Sequence, residues 1–254
     1  METENIFALF HRHFQLVVGA DPTVVRTAQR LRYQVYCLEH GFERPEDCPG
    51  GLERDPYDSR SLHTLLQTNP EDAAAPETVG TVRLVLPDPD DATRPFPIEE
   101  HCGASFYPDF EQACLPRATL GEISRFALSR HYRKRRGEPE SPHGLAEDVT
   151  PLPPDDERRR VLPHLTIGLF RGIVRMSARA GITHWYAVME LRLIRALHKF
   201  GIDFPIIGQA VEYHGERHPC MGTALGVLDG VKRSRPAVYD FITEGADLRR
   251  LESS

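Results

Sequence analysis

The chain has 254 residues, 40% of them hydrophobic and 27% charged, with a net charge of -6 at pH 7. That is enough chain to bury a sizeable core in one large or two small domains, with the composition of an ordinary soluble globular protein. The acidic balance argues against a general nucleic-acid binder, and no window approaches the roughly 18 apolar residues of a membrane span. Met1 to Phe14 lacks a basic stretch followed by a long apolar one, so no secretory leader is expected and the cytoplasm is the expected compartment.

In chain order, Asp21-Pro22 is a helix-start signal, and Val24, Ala28, Leu31, Val35 and Leu38 recur at helical spacing. This predicts an amphipathic helix over 22–40, ended by Gly41, with Arg32 bordering its apolar face. Residues 42–58 are acidic and rich in Pro and Gly, as a loop or lid would be. Short strands are predicted over Leu62–Leu66 and Thr78–Leu86, the second carrying Arg83. Pro87–Pro97 reads as a turn-rich connection, and Thr119–Leu128 as the next strand. Residues 137–160 have almost no apolar content and are expected to form a flexible insertion.

The second half alternates. Leu162, Leu165, Leu169, Ile173, Met176 and Ala180 trace a helix face that Gly181 terminates. Thr183–Met189 reads as a strand, Leu191 to Gly201 as a helix, Phe204–Tyr213 and Thr223–Leu228 as strands, and Pro236–Thr243 as a final short helix. Strands alternating with helices predict one mixed α/β sheet with helices on both faces.

The five cysteines (37, 48, 102, 114 and 220) are scattered and contain no C-x-x-C pair, so reduced thiols are expected. His214-x-x-x-His218-x-Cys220 has zinc-type ligands, but Gly215 and Pro219 break any helical register and no fourth ligand is evident. It reads as a polar loop, and no metal is expected.

The chemistry concentrates elsewhere. Glu122-Ile123-Ser124-Arg125-Phe126 puts a carboxylate and a guanidinium inside a strand, which a sheet accepts only where charges are paired or face a working cleft. Glu53-x-Asp55-x-x-Asp58, Arg32 and Arg83 supply partners. A buried ion network that merely holds the sheet together is the bland alternative. Ser124 is no hydrolase nucleophile, because it lacks a G-x-S-x-G elbow.

The run Arg30-Leu31-Arg32-Tyr33-Gln34-Val35-Tyr36, the acidic triplet, Gly80-Thr81-Val82-Arg83-Leu84 and Glu122-Ile123-Ser124-Arg125-Phe126 together resemble the acyl-homoserine-lactone synthases. Order and spacing both fit over about the first half of the chain. The broader group is the autoinducer-synthase-like N-acyltransferases, which include N-acyl amino acid synthases and acyltransferases associated with the PEP-CTERM/exosortase system. The resemblance implies a single GNAT-like domain over 1–254. It also implies transfer of an acyl chain from the phosphopantetheine thioester of an acyl carrier protein, or from acyl-CoA, to a small amine, with no bound cofactor.

By motif position it implies an electrostatic cluster of Arg32, Asp55, Asp58, Arg83, Glu122 and Arg125 beside the acceptor, with Ser124 on the same strand. Glu122 would be the general base, acting through water, its pKa tuned upward in a dry cleft. Backbone N–H groups near Phe126 and Ala127 would stabilise the oxyanion. Arg83 or Arg125 would bind an acceptor carboxylate. The basic run Arg130, Arg133, Lys134, Arg135 and Arg136 would dock the acidic carrier protein and its phosphate, a solvated basic loop being the competing reading.

Phe42, where lactone-forming synthases usually have tryptophan, and Tyr36, in place of their phenylalanine, favour an amino acid acceptor over S-adenosylmethionine. So do the expected insertion and the segment Glu212-Tyr213-His214-Gly215-Glu216-Arg217. Homoserine-lactone synthesis, a plain acetyl-CoA transferase and a catalytically silent carrier-protein-binding module are the rivals. Trp185, Ala187, Met189, Ile194 and Leu197 would line an acyl tunnel or simply pack the core.

Overall fold

The computed structural model describes residues 2–69, 75–110, 114–133, 164–212 and 215–252. The expected insertion at 137–160 lies outside them. The strands are β1 (Phe14–Gly19), β2 (Ser61–Thr68), β3 (Thr78–Val85), β4 (Leu120–Leu128), β5 (His184–Met189), β6 (Val211–Glu212) and β7 (Glu216–Thr223). They hydrogen-bond in the order β1-β2-β3-β4-β5-β7-β6. The sheet is mixed, as the alternation predicts: β1 runs antiparallel to β2, β4 parallel to β5, and β5 antiparallel to β7. The helices are α1 (Glu2–His13), α2 (Pro22–Arg32), α3 (Pro97–Cys102), α4 (Arg130–Arg133), α5 (Leu165–Ala180), α6 (Leu191–His198), α7 (Ala224–Ser234), α8 (Pro236–Thr243) and α9 (Arg249–Glu252).

The chain forms two compact units. The first takes Met1–Asp55, His63–Val82 and Arg125–Gly172, and the second takes Pro56–Leu62, Arg83–Ser124 and Ile173–Ser254.

In the first unit, Asp21 caps α2, its Oδ1 accepting from the N–H groups of Thr23 and Val24 at 3.1 Å each. Val24 and Ala28 pack on Leu65 of β2, and Leu31 and Val35 pack on Ala127 of β4. Each large side chain so buried contributes roughly 1.5–3 kcal/mol. The helix expected over 22–40 changes character at Tyr33: Tyr33–Glu39 is a π-helical turn, closed by His40 N–H to Val35 O at 3.1 Å. Gly41 then takes φ 64, a left-handed conformation that suits glycine. Gly80, in the Gly-Thr-Val-Arg-Leu stretch, is there for closeness: a Cβ on it would come within 2.6 Å of the Leu128 side chain.

In the second unit, Val85, Phe96, Ile98, Cys102, Leu120, Tyr186 and Ile207 form the core around β4 and β5. Trp185 is fully buried, donates to Ser177 Oγ at 2.8 Å and stacks on Phe204.

Three sequence expectations need correction here. The strand predicted over Phe204–Tyr213 reduces, in its described part, to β6 and the single bridges of Ile206 with Cys220 and Gly208 with Phe106. The polar loop around His218 and Cys220 is strand β7, paired with β5 from His184↔Thr223 to Met189↔His218. Pro219 fits because its carbonyl accepts from Ile207 N–H at 2.9 Å. A residue's N–H and C=O point to the same neighbour, so the proton that proline lacks costs no bond to β5. Thr223–Leu228 is the start of α7, not a strand. Thr223 Oγ1 caps it by accepting from Gly226 N–H, and Ala224, Val227, Leu228 and Val231 form its buried stripe.

Candidate active site

The charged residues marked in the sequence gather in two clusters, one in each unit. In the first unit Glu53 is the hub. Arg32, in the last turn of α2 and fully buried, donates through Nε to Glu53 Oε2 and through Nη2 to the Glu53 carbonyl at 3.0 Å. Arg125 reaches Glu53 Oε1 through Nε at 3.1 Å and Nη2 at 3.0 Å, and Asp55 Oδ2 through Nη2 at 3.2 Å. Burial alone would push the Glu53 carboxyl up, but the Arg125 and Arg32 guanidinium groups outweigh it and hold the group below its ordinary range.

Arg125 is also the one non-glycine residue among those described with a positive φ, at 51°. A left-handed backbone inside a strand is strained and needs its surroundings to hold it. The two carboxylates do so, together with the Tyr36 ring, whose centroid lies 5.7 Å from the guanidinium carbon. Tyr36, on the π-helical turn, donates its hydroxyl to Phe126 O at 3.2 Å and stacks on Phe42, which stacks in turn on His40. The π-turn thus orients an aromatic side chain onto the strained strand. Ala127 is buried against Leu31 and Val35.

In the second unit Arg83 of β3 is buried, with Nη1 on Asp58 Oδ1 at 2.8 Å and Nε on Ser124 Oγ at 3.1 Å. Its guanidinium lies over the Tyr57 ring, and Tyr57 donates to Glu100 Oε2 at 2.5 Å. Glu122, two residues before Ser124, is also buried. Its Oε2 accepts from Ile98 N–H in the first turn of α3 at 2.8 Å. This fastens α3 to β4 from beneath and fixes the carboxylate's orientation.

The sequence pattern therefore finds Arg32, Asp55 and Arg125 in one cluster, and Asp58, Arg83 and Ser124 in the other. It leaves Glu53 a charge partner outside the expected acceptor cluster, and gives Tyr57 no role. The signal for Glu53 is its place two residues before Asp55 in the acidic triplet, and Arg125 reaches both carboxylates. Of the expected docking run, Arg130 is exposed and its N–H lies 3.4 Å from Glu39 Oε1. Arg133 ends the described part of α4, and Lys134, Arg135 and Arg136 lie outside the described residues, as does His214. Among the described residues no group of three or more His, Cys, Asp or Glu side chains is placed to hold a metal. Nor is any described helix long and apolar enough to cross a membrane.

Residues 31–139 match the model of the acetyltransferase (GNAT) domain, a span that includes every charged residue of both clusters. No curated protein sequence matches the chain. Several solved structures are similar over most of it, among them LasI, BjaI and FeeM. The acyl-homoserine-lactone synthase LasI is 18% identical, with TM-score 0.57 over 87% of this chain and 95% of its own. BjaI, a CoA-dependent acyl-homoserine lactone synthase solved with SAM and isopentyl-CoA, is 16% identical, with TM-score 0.57 over 92% and 90%. FeeM, an N-acyl amino acid synthase from uncultured soil microbes, is 12% identical, with TM-score 0.53 over 85% and 93%. The chain has a GNAT-like fold. The resemblance seen in the sequence is thus matched in the fold, and the GNAT match runs through the strands that carry Arg83, Glu122 and Arg125.

Proposed function

We propose that the chain is an N-acyltransferase that moves a medium or long acyl group from a pantetheine thioester to the α-amine of an amino acid. Acyl carrier protein is the preferred donor, and the whole chain serves as one GNAT-like catalytic domain. What supports this is the burial of ion pairs on the β3 and β4 strands of a GNAT fold, above all Arg83 between Asp58 and Ser124. Buried ion pairs of this kind are weak devices for stability, and well-packed apolar residues would often do better. Their cost is easier to understand where charge is needed for chemistry.

In this reading Glu122 takes the amine's proton through water, so that the nitrogen lone pair attacks the thioester carbonyl. The C–N bond forms, the C–S bond breaks, and the proton leaves with the departing thiol. Arg83 recognises the acceptor's carboxylate, and Arg125 sets the shape of β4. Backbone N–H groups of Phe126 and Ala127 steady the oxyanion. Arg130, Arg133, Lys134, Arg135 and Arg136 meet the acidic carrier protein.

The test is mass spectrometry of reactions holding decanoyl-carrier protein or decanoyl-CoA with either the twenty amino acids or S-adenosylmethionine. N-acyl amino acids formed by the wild type and lost in Glu122→Gln and Arg83→Ala support the proposal; full activity in both variants sinks it. A second reading, homoserine-lactone synthesis, is favoured by the likeness to LasI and BjaI. An acyl-homoserine lactone product, with a thermal shift on adding S-adenosylmethionine, would select it. Carrier-protein binding with no product would mark a silent module.

A further inference from the structure

Tyr186 is a buried group that the chemistry above does not use. It is fully buried in β5, walled by Phe96, Phe106 and Phe110 with ring centroids 6.2 to 6.4 Å away. No protein group among the described residues hydrogen-bonds its hydroxyl. A phenol used only for packing would be replaced at no loss by phenylalanine, since an unmet buried hydroxyl costs free energy. The β4–β5 register pairs Tyr186 with Glu122. Facing residues on neighbouring parallel strands project from the same side of a sheet, about 4.8 Å apart.

We propose that Tyr186 is a positioning residue for Glu122, its hydroxyl and the carboxylate holding one water between them. This rests on the reading of Glu122 as the base, and that water is the one through which the amine's proton passes. The Ile98 N–H holds Glu122 Oε2 from one side, and the water bound to Tyr186 presents the proton path from another. Two polar partners are what a buried water needs. The charged and titratable groups facing the phenol are Glu99 and Cys102 of α3, Arg117 ahead of β4, and Glu122 itself. Burial first, then Glu99, pushes the phenol up against the opposing pull of Arg117, so it stays protonated and donates. Tyr186 itself neither gains nor loses a proton in the step.

The test joins a crystal structure of the wild type to kinetics of Tyr186→Phe and Glu122→Gln. The structure is expected to show a water within about 3.2 Å of both Tyr186 Oη and a Glu122 oxygen. A hydroxyl with no water, or with one that does not reach Glu122, overturns the proposal whatever the kinetics. Tyr186→Phe is expected to melt no lower than the wild type, to lose about tenfold or more in kcat, and to shift the acid limb of its pH–rate profile. A wild-type rate and profile in Tyr186→Phe, beside an inactive Glu122→Gln, overturns the positioning role and leaves the base standing. An active Glu122→Gln removes the base reading instead, and the positioning role with it.

Discussion

Replacing Glu53 by Gln removes a counter-charge that two arginines of the first unit share, and their exposure says which one feels the loss more. Arg125 keeps 17% of its side chain exposed and has Asp55 as a second partner, whereas Arg32 is at 0%. The charge with the least access to water is therefore Arg32. Breaking a buried pair from one side costs about 3–5 kcal/mol, because the remaining charge cannot recover its hydration. At about 2–4 °C per kcal/mol for a chain of this size, Glu53→Gln should melt roughly 6–20 °C below the wild type. The double change Arg32→Met with Glu53→Met should recover much of this, since it removes both charges and leaves Arg125 on Asp55. The pH dependence has a defined sign. Glu53 titrates below its ordinary value of 4.5, so its stabilisation is complete above pH 4.5 and is lost as pH falls through the lower folded value. Calorimetric scans from pH 7 to pH 3 should therefore show a shallower decline for Glu53→Gln than for the wild type. A loss under about 2 °C at pH 7, or a double variant weaker than Glu53→Gln, would refute the assignment of Arg32 as the buried cation that needs Glu53.

Arg83→Lys keeps the charge but loses the two-armed grip on Asp58 and Ser124; acceptor KM should rise at least about tenfold in steady-state assays. Ser124→Ala removes only one of these bonds and should cost about 0.5–1.5 kcal/mol by denaturant titration. Ser177→Ala leaves the buried Trp185 N–H without its acceptor and should cost about 1–3 kcal/mol in the same assay. Cys37 and Cys48 lie with their sulfurs 3.5 Å apart, and burial first, then the Cys48 thiol, pushes Cys37 up to about 12. Burial raises Cys102 to about 11 and Cys220 to about 12. Iodoacetamide on the native protein at pH 7.5 should therefore label the exposed Cys114 first, and labelling of Cys37 at the same rate would contradict the burial described.

Local rules reached the elements that local chemistry controls. Asp21-Pro22 starts α2 through a cap that uses only the next three residues, and Gly181 ends α5 at φ 69. The charged positions were equally legible, because arginine and carboxylate inside β-branched runs have few cheap explanations. Features set by distant partners were not. Nothing between Pro22 and His40 marks the π-helical turn, whose Tyr36 is anchored 90 residues away at Phe126. The left-handed Arg125 depends on carboxylates from another part of the chain. Pro219 breaks a helical register, but that it fits a strand depends on the direction of its carbonyl, which a neighbour decides. Thr223–Leu228 was ambiguous in itself, a short apolar run that fits either period until Val231 is counted with it.

Position 125 serves two masters. Its backbone conformation is one that glycine or asparagine adopts at little cost, while its side chain must be a long cation to meet Glu53 and Asp55. Variant libraries sorted only for heat resistance or expression should drift there toward the small residues, with Arg32 still neutralising Glu53. Libraries sorted for turnover should hold arginine. The residue that survives at this one site would reveal which demand a lineage, natural or laboratory, has been answering.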